Sequence, residues 1–235
     1  MIKKNIFDKC YFEKGPYGKQ DIQIIRRNYK ILLDNAKNCH FFTDKPKLIL
    51  DFGCAFGAGT TFLSEQFPEA HIVGVDISEY AIEKAMSNFK RENINYYCLD
   101  LCRSDHLTFL KQRYGAFDLI FTRDVLEHIA LDKQEKVLEA FVKLLNKDGK
   151  VIAQTPNRVT PFLRGDTTHI GLRSAKSWKI LFQKFFQEVK IFEKQYIPLF
   201  WKLKRDKELF EFTLPFFGAN IYIFARRAKS WNRDR

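Results

Sequence analysis

Long apolar runs are missing from this chain of 235 residues. No stretch approaches the roughly 18 uninterrupted apolar residues of a membrane span. Met1-Ile2-Lys3-Lys4-Asn5-Ile6-Phe7-Asp8 has no apolar run leading into a small-residue cleavage site, which argues against a secretory signal. Cysteine is sparse and unpatterned: Cys10, Cys39, Cys54, Cys98 and Cys102 are odd in number and form no Cys-x-x-Cys pair. A disulfide or zinc framework is therefore not expected, and free thiols in a reducing, cytoplasmic compartment are. Internal repeats and low-complexity tracts are absent too, which leaves the default for this length, one α/β-sized domain around a single core.

What is present is charge, unevenly spread. The net value of +12 divides into +6 for residues 1–47, −3 for 48–160 and +9 for 161–235. Basic flanks around a mildly acidic centre suit an anionic partner, although solvated basic surfaces are common without one.

From Lys47 to Arg227 short apolar runs alternate with amphipathic segments, the rhythm of a mostly parallel sheet covered on both faces. Seven strands are expected: 48–52, 71–76, 94–99, 117–122, 150–155, 188–196 and 219–225. Residues 21–39 read as a helix with Ile24, Ile25, Tyr29, Leu32 and Leu33 on one face. Ser78 is placed to cap a helix, and Asp132 with Glu135 has capping-box spacing. Asp148-Gly149 turns the chain into the fifth strand. Three parts follow: 1–46 as an N-terminal latch and helix, 47–160 as the cofactor-binding, Rossmann-like core, and 161–235 as completion of the sheet with cap insertions, including 198–217.

The first strand runs into Asp51-Phe52-Gly53-Cys54-Ala55-Phe56-Gly57-Ala58-Gly59, a small-residue turn at the carboxyl end of a strand, where ligands bind in open α/β sheets. The acid before the first glycine suits a ligand carrying an ammonium group and would repel a pyrophosphate. The spacing also fails the dinucleotide fingerprint, since Ala55 and Ala58 stand where its later glycines would be. Asp76 ends the second strand, 23 residues after Gly53, about where an acid grips ribose hydroxyls. Asp100 follows the third. Any one of these is more often a turn former; three in succession point to a nucleoside site.

Across residues 47–160 these motifs resemble class I S-adenosylmethionine-dependent methyltransferases of the small-molecule branch. Phe117-Asp118-Leu119-Ile120-Phe121-Thr122-Arg123-Asp124-Val125-Leu126-Glu127-His128-Ile129 is similar to the fourth-strand segment of ubiquinone-pathway O-methyltransferases, as are Thr155-Pro156-Asn157 and Thr168-His169-Ile170. Ala55 departs from the usual glycine. The resemblance implies a Rossmann-like, seven-stranded doubly wound sheet, mostly parallel with the last strand antiparallel, helices on both faces and a small cap. It implies S-adenosylmethionine as cofactor and S-adenosylhomocysteine as product. Asp51 and Gly53, with Cys54, Ala55 and Gly57 of the turn, would hold the amino-acid end, Asp76 and Ile77 the ribose, and Asp100 with Leu101 the adenine. Thr122 and Arg123 would line the floor beneath the sulfonium. Phe12-Glu13-Lys14-Gly15-Pro16-Tyr17-Gly18 resembles the N-terminal latch of some glycan and natural-product methyltransferases, which brings Tyr17 to the cofactor.

For the base, His169, His128 and Asp124 are the candidates, with packing or capping as the plainer reading of each. The ubiquinone-pathway relatives suggest a metal near Glu127 and His128; two adjacent side chains do not make a site, and no metal is expected. The acceptor is expected to be a small molecule, anionic or sugar-containing, and the protein a monomer or homodimer. An RNA methyltransferase is the rival, favoured by the basic tail and opposed by Arg123-Asp124-Val125-Leu126 in place of an Asn-Pro-Pro-Tyr type of motif. A non-catalytic cofactor-binding protein and a nicotinamide oxidoreductase are further rivals. Peripheral membrane contact through 198–217 is a further expectation.

Overall fold

The structure is a computed structural model and describes residues 6–15, 21–41, 45–158, 166–194 and 220–229. Helix α1 (Lys9–Lys14) and helix α2 (Ile22–Asn38) precede the sheet. Strands β1 (Leu48–Phe52), β2 (His71–Asp76), β3 (Ile94–Cys98) and β4 (Phe117–Arg123) are joined by α3 (Ala58–Gln66), α4 (Glu79–Asn88) and α5 (Ser104–Tyr114). A 3₁₀ turn over Leu126–His128 and helix α6 (Gln134–Leu144) lead to β5 (Leu145–Pro156). Helix α7 (Ala175–Phe185), β6 (Phe186–Lys194) and β7 (Asn220–Ala228) complete the fold.

The sheet order is β3-β2-β1-β4-β5-β7-β6, parallel throughout except that β7 runs against both β5 and β6. Chain order reverses between β1 and β4, so their carboxyl ends diverge and leave a crevice. Alternation along the strands sorts the core into two layers. Leu50, Val73, Ile120 and Val151 face α5, α6 and α7, where Phe141, Trp178 and Phe182 are fully buried. Ile49, Ile72, Leu119 and Ile152 face α2, α3 and α4. Leu32 and Leu33 of α2 are completely buried in that second layer, so this N-terminal helix is part of the core. Side chains of this size each stabilise by about 1.5–3 kcal/mol on burial.

Several local readings hold and two do not. Ser78 caps α4 by accepting from the Ala81 amide. Asp132 does not cap α6; Lys133 occupies the cap position and no side chain bonds there. Strand β5 begins before the Asp148-Gly149 turn, because Leu145 pairs with Phe117 and the register then shifts until Lys150 pairs with Leu119. Tyr17 and residues 198–217, with the cap and membrane readings attached to them, lie outside the described residues. Among the described residues no helix is long and apolar enough to cross a membrane.

Candidate active site

A cavity of about 320 Å³ opens at the carboxyl ends of β1, β2, β3 and β4. One wall is the turn after β1. Gly53, Ala55 and Gly57 all take left-handed backbone conformations, with φ of 80°, 47° and 85°. The Gly53 and Cys54 amides both donate to the Val75 carbonyl, at 2.8 and 3.0 Å, which ties the turn to the end of β2. A Cβ on Gly53 would lie 2.1 Å from Val125 Cγ2. Ala55 carries a side chain where about 1–2 kcal/mol of strain is normal. Its amide donates to Asp76 Oδ2 at 3.0 Å, which offsets part of that cost.

Asp76 also accepts from the Ser78 amide at 2.9 Å, and burial raises its carboxyl above the ordinary range. It lines the cavity with Ile77, and each oxygen has spare acceptor capacity for a diol. Asp100 and Leu101 line the adjoining stretch. Asp100 Oδ1 accepts from the Cys102 amide, and the Asp100 amide donates to His106 Nδ1 at 2.8 Å. His106, unremarked in the sequence, thus fixes the loop after β3.

Asp51 is placed differently from expectation. It is fully buried, faces away from the cavity, and accepts from Thr60 Oγ1 at 2.6 Å and Tyr29 Oη at 3.0 Å. Burial pushes its carboxyl up to about 7, against the lowering effect of those two hydroxyls. The reason is strand alternation: Asp51 shares a face with Ile49, and that face meets α2 and α3. Cys54, Gly57 and Thr122 are also buried outside the cavity lining. The Thr122 hydroxyl is buried with no hydrogen-bond partner among the described residues. Gly57 instead leaves room for Tyr96, whose hydroxyl a Cβ would approach to 2.6 Å.

The far end of the cavity is built from the β4 turn and the loop before α7. Arg123 pairs with Asp124 at 2.6 Å, and Asp124, left-handed at φ 54°, also accepts from Gln154 Nε2 at 3.2 Å. Its carboxylate is thus held by two partners and caps no helix. The Glu127 carboxyl is buried, accepts from Thr155 Oγ1 at 3.0 Å, and is raised well above its ordinary value by burial and then by Asp124. His128 Nδ1 lies 3.2 Å from the Thr168 carbonyl, which favours a proton on that nitrogen. Burial, and then the neighbouring His169, push His128 down to about 4, so it is neutral at ordinary pH.

His169 stands with its ring centroid 4.8 Å from that of His128. Its Nε2 faces Asp166 Oδ2 at 3.5 Å, while its Nδ1 is buried without a partner among the described residues. A carboxylate on one nitrogen and an unengaged second nitrogen is the arrangement of a positioned base. Both imidazoles line the cavity, as do Arg123 and Asp124. Glu127, His128 and His169 also offer one ligand atom each within 4.8 Å, a donor set that could hold a divalent ion. The third member, His169, comes from a loop distant in sequence, so the adjacent pair Glu127 and His128 does not by itself disclose the set.

Over this end lies α1. Phe7 and Tyr11 meet the His128 ring edge-on at centroid distances of 5.4 and 6.3 Å, and Phe12 packs on Phe56. Tyr80 and Glu13 hydrogen-bond across from α4 to α1. Burial beside Asp166 and Glu127 drives the Tyr11 phenol above its ordinary range, so it stays neutral.

Sheet order, reversed seventh strand, glycine turn and acids ending successive strands together define the class: a class I S-adenosylmethionine-dependent methyltransferase fold. Within it, residues 50–151 match the family model described as a methyltransferase domain. The chain is 25% identical over 191 residues to a malonyl-[acyl-carrier protein] O-methyltransferase from Anoxybacillus flavithermus, covering 81% of this chain and 65% of that protein. It is 28% identical to a trans-aconitate 2-methyltransferase from Methylobacterium radiotolerans, covering 49% of this chain and 40% of the relative. The chain thus spans less than two thirds of the length of these curated relatives. In fold it is similar to a SAM-dependent methyltransferase from Archaeoglobus fulgidus, with a TM-score of 0.67, 17% identity, and coverage of 92% of this chain and 97% of that one.

Proposed function

We propose that the chain transfers the methyl group of S-adenosylmethionine to an oxygen of a small anionic acceptor, a sugar, glycan or organic acid. The observation that carries the reading is one cavity bounded by Asp76 and Asp100 at one end and by the His128–His169 pair at the other. The first end suits a nucleoside diol and an adenine amino group; the second suits an acceptor. In this reading Gly53 and Ala55 seat the methionine tail, and Arg123 and Asp124 lie beneath the sulfonium. Asp51 acts indirectly, by fixing the turn from behind.

The transfer is an in-line displacement in which the acceptor oxygen forms a bond to the methyl carbon as the sulfur–carbon bond breaks. Alignment supplies most of the rate, with up to about 7–11 kcal/mol available from positioning. Where the acceptor is a hydroxyl, His169, which lines the cavity, takes its proton; a carboxylate acceptor needs no base. His128 is neutral there, burial favours the uncharged form of Glu127, and the remaining charges of that end are the Arg123–Asp124 pair and Asp166. The anionic class is supported by the net charge of +12 and by relatives named for malonyl-[acyl-carrier protein] and trans-aconitate.

The test is direct. Calorimetry with S-adenosylhomocysteine measures the cofactor site, and methyl-labelled S-adenosylmethionine with a malonyl thioester, trans-aconitate or a sugar phosphate measures transfer. Tight nucleoside binding with label entering an anionic acceptor is expected. No affinity for the homocysteine product would overturn the reading, and label entering only tRNA would replace the acceptor class.

A further inference from the structure

The two histidines belong to different parts of the chain, His128 to the turn after β4 and His169 to the loop before α7. Something must set their spacing. Gln134, the first residue of α6, is 1% exposed and sits between the two loops. Its Nε2 donates to the Leu126 and Ile129 carbonyls, each at 3.1 Å, and to the Gly171 carbonyl at 2.7 Å. Two amide hydrogens therefore serve three acceptors, two on the His128 turn and one on the His169 loop. Its Oε1 accepts from Arg173 Nε. That fixes the amide's orientation, since a flipped group would aim its oxygen at three carbonyls and its NH₂ at a guanidinium.

Arg173 is itself held, donating to Ser177 Oγ at 2.9 Å with its guanidinium 5.7 Å from the Trp178 ring centroid. The loops meet so closely beside Gln134 that a Cβ on Gly171 would fall 1.8 Å from the Ile129 carbonyl oxygen. The Gly171 amide donates to the Glu127 carbonyl at 2.7 Å.

We propose that Gln134 is a positioning residue for the acceptor end: its amide, aimed by Arg173, clamps the His128 turn to the His169 loop and so sets the distance between the two imidazoles. It lines no part of the cavity and touches no reacting atom. The proposal rests on the reading of the histidine pair as the acceptor end. A misplacement of about 1 Å at a reacting group costs up to about a hundredfold in rate. A buried amide this far from the chemistry can therefore govern turnover.

The test is Gln134→Met, which keeps the volume and removes every hydrogen bond, in the full chain. Proton NMR of the wild type is expected to show a ring-to-ring Overhauser contact between His128 and His169. The variant is expected to lose it while binding S-adenosylhomocysteine within about twofold of wild type, and turnover of a hydroxyl acceptor such as a sugar phosphate is expected to fall at least about tenfold at unchanged KM for S-adenosylmethionine. A folded variant that retains the imidazole contact overturns the proposal and leaves Gln134 as a core residue. If Gln134→Met fails to fold, Arg173→Met decides: it leaves the amide in place and frees its orientation, so loss of the contact supports the clamp and retention overturns it. Failure of the wild type to bind S-adenosylhomocysteine would sink the proposed function alone, since the histidine contact is read without ligand.

Discussion

The Tyr29 phenol, stacked on Phe121 with ring centroids 4.9 Å apart, donates at 3.0 Å to an Asp51 carboxylate that has no exposure to the cavity. The acid of the glycine-turn motif is thus turned toward the N-terminal helix, joining α2 to the end of β1.

A pH signature follows from that burial. The Asp51 carboxyl is raised to about 7 in the fold, against about 4 in an unfolded chain. Raised acid pKa values mean that the fold prefers the protonated form, so this group's contribution is most favourable below about pH 4, declines as pH rises toward 7 and is flat above. Asp51→Asn abolishes that decline. The melting-temperature difference, variant minus wild type, is therefore expected to grow more positive from pH 5 to pH 8. A constant difference would show that the carboxyl ionises without penalty.

Gly53→Ala meets two obstacles at once, a left-handed backbone and the Val125 methyl groups, 2.1 and 2.9 Å from the new Cβ. Strain of about 1–2 kcal/mol from the backbone alone, with displacement of the β4 turn, is expected to weaken S-adenosylhomocysteine binding by at least about tenfold. Calorimetry reads it directly, and unchanged affinity would remove this turn from the cofactor site.

His169→Ala separates chemistry from binding. Turnover of a hydroxyl acceptor is expected to fall at least about tenfold with cofactor affinity preserved, as for loss of a general base. Stopped kinetics at saturating S-adenosylmethionine measure it, and an unchanged rate would strike His169 from the mechanism.

Helix α1 has only six residues and cannot persist on its own. It is held by Phe12, 3% exposed, and by Phe7 and Tyr11 against His128. Removing residues 1–18 is expected to weaken S-adenosylhomocysteine binding; equal affinity in the shortened chain would rule out a latch.

Much of this was legible in the residues because the strands are short, apolar and punctuated. Strands 48–52 and 71–76 were readable to the residue, as turn chemistry brackets each. The start of β5 was not, because Leu145 joins the sheet ahead of a turn that looks terminal. Asp76, Asp100 and the histidines line the cavity at the positions their motifs suggest, whereas the direction of Asp51 is legible only through Ile49, two residues earlier on the same face. Gln134 gave no signal at all: its partners are backbone carbonyls and an arginine of loops that only tertiary structure brings together, whereas Asp166 and His106 bond near neighbours in sequence, within their own loops. Donors and acceptors of the main chain carry no residue identity, so such clamps are invisible to motif reading.

In the proposed reading the nucleoside end of the cavity is drawn from one stretch of chain, Gly53 to Leu101, whereas the other end is completed only where the chain returns after β5 with His169. Divergence in that returning loop can reshape what is methylated and leave the grip on the methyl donor untouched, which gives one scaffold a route to many acceptors without rebuilding its common half.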